Sequence, residues 1–102
     1  MQVISAQEVK KRIDDKEQLH LVDVREPYEH EEFNIGGVLI PLKKIQSLEI
    51  DELEPLKDQE VICYCRSGNR SGQACLLLET AGFTNVKNLT GGMLGWQENF
   101  GK

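Results

Sequence analysis

The run Cys65-Arg66-Ser67-Gly68-Asn69-Arg70-Ser71 is the part of this chain best supplied for chemistry. A thiol opens it, two guanidiniums follow, and every other residue is small or polar. Gly68 permits the backbone angles a tight loop needs. Such a loop can turn successive N–H groups inward and form a nest for an anion. A helix expected to start near Ser71 adds the positive end of its dipole. Between Val61 and Leu78 the only charged residues are Arg66 and Arg70, although the chain as a whole is acidic. A thiol at the mouth of such a nest loses its proton readily, because inward N–H groups, arginines and a helix N-terminus all favour the thiolate. The thiolate is a nucleophile, and the same donors can hold an anionic substrate or a persulfide.

Spacing narrows the chemistry. Four residues separate Cys65 from Arg70. Cysteine-dependent phosphatases wrap a tetrahedral phosphate in a loop one residue longer, commonly with His before the Cys, where this chain has Tyr64. The shorter ring suits a terminal sulfur better than a phosphoryl group, so a phosphatase or arsenate reductase is the weaker reading. Arg70, which closes the loop beside the helix start, is expected to hold an anionic donor more than Arg66 does.

Several strands and helices must place this loop. Residues 3–4 read as a first strand, followed by a helix with Ser5 and Glu8 as a capping box, an apolar stripe of Ala6, Val9 and Ile13, and an end near Lys16. Glu8 is expected to pair with Lys11 or Arg12. Residues 19–24 and 60–65 are mostly apolar runs without clean alternation, as in strands buried on both faces. Pro27 opens a short helix. Gly36-Gly37 turns the chain before a strand at 38–40. Residues 42–56 form one or two helical turns interrupted by Pro55. A helix at 71–81 ends at Gly82, a strand follows at 86–89, and Gly91-Gly92 precedes a last helix at 93–100. Strands alternating with helices predict one α/β domain over residues 1–102, with a five-stranded, mainly parallel sheet and helices on both faces. Ligands then bind beyond the carboxyl ends of the strands, where 65–71 and 25–30 both fall.

The bulk properties set limits. The chain has 102 residues, 17 Asp and Glu against 12 Lys and Arg, and a net charge of −5. That balance argues against nucleic acid as a general partner. No apolar run approaches the roughly 20 residues that span a bilayer, and no export signal is visible. Three cysteines in such a chain are expected to be free thiols in a reducing, cytoplasmic setting. Cys63 and Cys75 lie in apolar stretches and read as core packing, as does Trp96. No metal or cofactor is expected, since Cys63, Cys65, Cys75, His20 and His30 lack ligand spacing. Glu29, Glu31 and Glu32 read as a solvated face.

Four segments together resemble the rhodanese family. Cys65-Arg66-Ser67-Gly68-Asn69-Arg70-Ser71 is similar to its active-site loop. Leu21-Val22-Asp23-Val24-Arg25-Glu26, with Glu29 and Glu32, is similar to its first signature. Asn34-Ile35-Gly36-Gly37-Val38 with Ile40-Pro41 is similar to its second, with Asn34 where His is common and Gly37 where Ala is common. Gly91-Gly92 with Trp96 is similar to the C-terminal signature. The resemblance implies a five-stranded sheet flanked by helices. It implies that Cys65 takes a sulfane sulfur from a small anionic donor such as thiosulfate, holds it as a persulfide, and yields it to cyanide, a thiol or a partner protein. Arg66, Ser67, Gly68, Asn69, Arg70 and Ser71 would cradle the donor, with Asp23 and Arg25 bracing the loop. A carrier or redox-sensing module with little turnover is the alternative.

Overall fold

A computed structural model describes residues 1–101. Its five strands are β1 (Gln2–Ile4), β2 (Leu21–Asp23), β3 (Val38–Leu39), β4 (Glu60–Tyr64) and β5 (Asn85–Leu89). They form one sheet in the order β1-β5-β4-β2-β3, every pairing parallel. The helices are α1 (Ala6–Asp14), α2 (Pro27–Glu32), α3 (Leu42–Gln46), α4 (Asn69–Thr80) and α5 (Gly92–Phe100), with a 3₁₀ turn at Asp51–Leu56 holding Pro55. None of the described helices is long and apolar enough to cross a membrane.

Period-two alternation sorts the side chains of β4. Val61, Cys63 and Cys65 face one layer, with Ile45 of α3, Leu53, and Ala74, Cys75 and Leu78 of α4. Ile62 and Tyr64 face the other, with Val9 of α1 and Met93 and Trp96 of α5. Both faces are therefore covered, which is why these strands read as continuous apolar runs. Each aliphatic side chain so buried contributes roughly 1.5–3 kcal/mol. Cys63 and Cys75 are fully buried, and Trp96 stacks edge-on against Phe100.

The ends of the elements depart from expectation for local reasons. Ser5 caps α1 by accepting the Glu8 N–H, but the reciprocal pair found at α2, between Glu26 and Glu29, is not formed there. Lys11 pairs with Asp15, and Arg12 pairs with Glu17 and Glu60, rather than either with Glu8. Lys87 joins Arg12 on Glu60, and the two cations hold that carboxyl down to about 2. Gly37 adopts φ +88, and a Cβ there would sit within 2.6 Å of the Leu21 backbone. In this chain that turn requires glycine.

The chain leaves β2 outward to β3, and leaves β4 in the opposite direction to β5. The crevice between the carboxyl ends of β2 and β4 is thus the topological switch point, where open α/β sheets bind ligands. Asp23 ends β2, and Cys65 follows the end of β4.

Candidate active site

Cys65 is fully buried at the carboxyl end of β4, and its Sγ is the focus of a ring of donors. The Gly68 N–H lies 3.0 Å away, the Ser71 N–H 3.4 Å and the Ser71 hydroxyl 3.3 Å. Burial pushes the thiol pKa up. The Ser71 hydroxyl and the backbone N–H groups of Ser71, Gly68 and Ser67 outweigh it, so the net shift is below the ordinary cysteine value. The ring of donors expected from the residue types is present, and it favours the thiolate form of Cys65.

Gly68 shapes the ring. It sits at φ +109 and caps α4, so the helix begins at Asn69, two residues before the expected start. Ser71 lies in the first turn of α4, and its hydroxyl is committed to sulfur and to Asn88. Arg66, Ser67 and Asn69 are exposed around the buried sulfur.

A second strut comes from α5. The Met93 N–H donates to the Cys65 carbonyl at 2.9 Å, and the Leu94 N–H to the Arg66 carbonyl at 3.0 Å. This docking needs Gly92, at φ +55, because a Cβ there would fall within 2.6 Å of the Arg66 carbonyl group. The Gly91-Gly92 pair, legible as a chain break, is thus the hinge that brings α5 onto the loop.

Arg70 does not stand free to take an anion. Its guanidinium makes two contacts with the Glu29 carboxylate, at 2.8 and 3.0 Å. Glu29 also accepts the Glu26 N–H, and Arg70 above all holds its carboxyl down to about 2. Glu29 therefore belongs to the site and not to a solvated face, whereas Glu31 and Glu32 are exposed. Arg66 has no ion-pair partner among the described residues. It lines a cleft of about 300 Å³ together with Arg25, Met93 and Gln97 and with the carboxylates Glu29 and Glu32. The thiol lies off that lining.

Asp23 and Arg25 brace α2 rather than touching the loop. The Asp23 carboxylate accepts the Arg25 N–H at 3.0 Å, Nε at 2.9 Å and Nη2 at 2.8 Å, and lies 2.8 Å from His30 Nδ1. Arg25 also donates to the Phe33 carbonyl and lies over the Tyr64 ring at 5.6 Å. The Tyr64 hydroxyl donates to the Gly36 carbonyl at 2.9 Å. Asn34 accepts the Gly36 N–H and donates to the His30 carbonyl, closing the turn after α2. The pair thus reaches the loop indirectly, through α2 and the Glu29–Arg70 bridge.

Asn88, which no sequence motif marks, also belongs to the site. Val86 points into the α4 layer, so period two puts Asn88 on the same face, in register with Cys63. A polar residue at an inward position of a central strand was the available signal.

Comparison with known proteins agrees with this geometry. The model of the rhodanese-like domain matches residues 5–99. A sulfurtransferase of Allochromatium vinosum is 38% identical over 94 residues, covering 91% of this chain and 85% of that protein. The thiosulfate sulfurtransferase PspE of Escherichia coli is 37% identical over 73 residues, covering 71% and 69%. The crystal structure of a rhodanese-like domain protein from Staphylococcus aureus superposes with a TM-score of 0.82 at 27% identity, covering 94% and 91%. These relatives support sulfur transfer as the general chemistry. Matched over nearly its whole length, the chain belongs to the family of rhodanese-like domains.

Proposed function

We propose that this protein is a sulfurtransferase that moves the outer sulfur of thiosulfate to a thiol or cyanide through a persulfide on Cys65. The observation that carries the reading is the buried Sγ ringed by the Gly68 N–H and by the N–H and hydroxyl of Ser71. The Cys65 thiolate attacks the sulfane sulfur, and sulfite leaves with the electron pair of the old S–S bond. The product is a Cys65 persulfide anion. The N–H ring stabilises its charge as it stabilised the thiolate. An acceptor thiolate or cyanide then attacks the outer sulfur, and Cys65 leaves as thiolate with the S–S electron pair. Atoms and charge balance, and no cofactor takes part. The name of the E. coli relative supports thiosulfate as donor.

In this reading Arg66, exposed and unpaired among the described residues, draws the dianionic donor toward the loop. Arg70 contributes less, since Glu29 offsets its charge. This reverses the order expected from sequence. Arg66→Met should raise the KM for thiosulfate by roughly three- to tenfold, in line with loss of one charge contact. Arg70→Met should raise it less. Steady-state rates with thiosulfate and either acceptor are expected to give parallel double-reciprocal lines, the mark of two half-reactions. Persulfide formation without turnover on either acceptor would instead identify a carrier.

A further inference from the structure

We propose that Asn88 is a positioning residue that holds both ends of the sulfur cradle and keeps its donors aimed at Sγ. The inference rests on Cys65 as the reacting thiol. Asn88 lies on β5, beside β4 and in register with Cys63. Its Nδ2 donates to the Gly68 carbonyl at 3.1 Å, and its Oδ1 accepts the Ser71 hydroxyl. Gly68 and Ser71 both point their N–H groups at the sulfur. One amide therefore ties the peptide at the tight turn to the residue at the far side of the ring. The amide packs beside α4: a Cβ on Gly72 would stand 3.4 Å from Asn88 Nδ2, an ordinary contact.

The Ser71 hydroxyl has a single proton and two takers, Asn88 Oδ1 and Cys65 Sγ. With the thiol protonated, the hydroxyl serves Asn88. When the thiolate forms, it competes for that proton, and the hydroxyl oxygen that Asn88 has placed lies within reach of the sulfur. Asn88 carries no charge and does not touch sulfur. Its effect runs through Gly68 and Ser71. The charged and titratable groups near Cys65 are Arg66 in the loop, Arg70 on α4 with Glu29 of α2 behind it, Cys63 on β4 and Cys75 on α4. Asn88 hydrogen-bonds to none of them.

The test measures the rate of Cys65 alkylation by iodoacetamide against pH, with peptide mapping to assign the label, beside thermal melting. This readout does not depend on sulfur transfer. Asn88→Ala loosens both ties and is expected to raise the pH midpoint by about one unit, slowing alkylation about tenfold below it. Asn88→Asp keeps the side-chain shape, drops the donor to the Gly68 carbonyl and adds a negative charge. It is expected to raise the midpoint further, and kcat/KM for thiosulfate should fall with it. A midpoint that stays put or drops in Asn88→Ala overturns the proposal, even if melting temperature falls. Should Asn88→Ala not fold, an unchanged midpoint in Asn88→Asp overturns it. Normal midpoint shifts in a protein that transfers no sulfur would leave the positioning role standing and remove the proposed function.

Discussion

Asp23→Ala is expected to cost about 3–5 kcal/mol of stability, the toll of stranding one partner of a buried ion pair. Asp23 is fully buried and Arg25 nearly so. The carboxylate accepts three donors from Arg25 and lies against His30. Without it, the guanidinium stays in the interior with the Phe33 carbonyl as its hydrogen-bond partner. For a domain of this size, that loss corresponds to a fall in melting temperature of at least about 12 °C. The damage should also reach the active site, since α2 carries Glu29 and Glu29 holds Arg70. Replacing both partners, as in Asp23→Leu with Arg25→Met, should recover part of the loss, because an apolar pair leaves no unpaired charge. A melting temperature for Asp23→Ala within about 3 °C of wild type, under 1 kcal/mol, would show that the pair is not structural.

Gly92→Ala should be the most damaging change at any glycine near the site. A left-handed non-glycine residue costs roughly 1–2 kcal/mol by itself. Here the new Cβ would also overlap backbone, within 2.6 Å of the Arg66 carbonyl group. The clash cannot be relieved by turning a side chain. The first turn of α5 must move off the loop, and the bonds from Met93 and Leu94 to the Cys65 and Arg66 carbonyls go with it. A loss of more than about 3 kcal/mol is expected, with a slower-reacting Cys65 thiol, as melting and alkylation would report. Gly36→Ala is the control: φ is +101 but no atom lies within 4 Å of the new Cβ, so only the left-handed cost should appear. Equal losses in the two variants would mean that the close packing of α5 on the loop carries no weight.

These two residues mark where the sequence was informative and where it was not. Asp23 and Arg25 stand out in the sequence only through the family resemblance, which implies that they brace the loop. What they brace directly was not legible, since Phe33 and His30 join them only once α2 folds back. The parallel sheet was legible because strands covered on both faces must be apolar throughout, as β4 is from Val61 to Tyr64. The start of α4 lies two residues before the expected one, because Gly68 in a left-handed conformation lets the helix begin at Asn69. Arg70 read as a free cation because Glu29 lies 41 positions away, and Asn88 was missed because it meets Ser71 across 17. Residue types at fixed spacing reveal a loop. The partners that set its electrostatics come from other elements and need the fold.

The account stands on Cys65 as the sulfur-bearing nucleophile. Incubation with thiosulfate, removal of excess donor and measurement of intact mass tests this most directly. The wild type should gain the mass of one sulfur atom and lose it on addition of cyanide or a thiol. Cys63→Ser and Cys75→Ser should do the same, and Cys65→Ser should gain nothing. A cyanide-labile sulfur adduct that persists in Cys65→Ser would contradict the account.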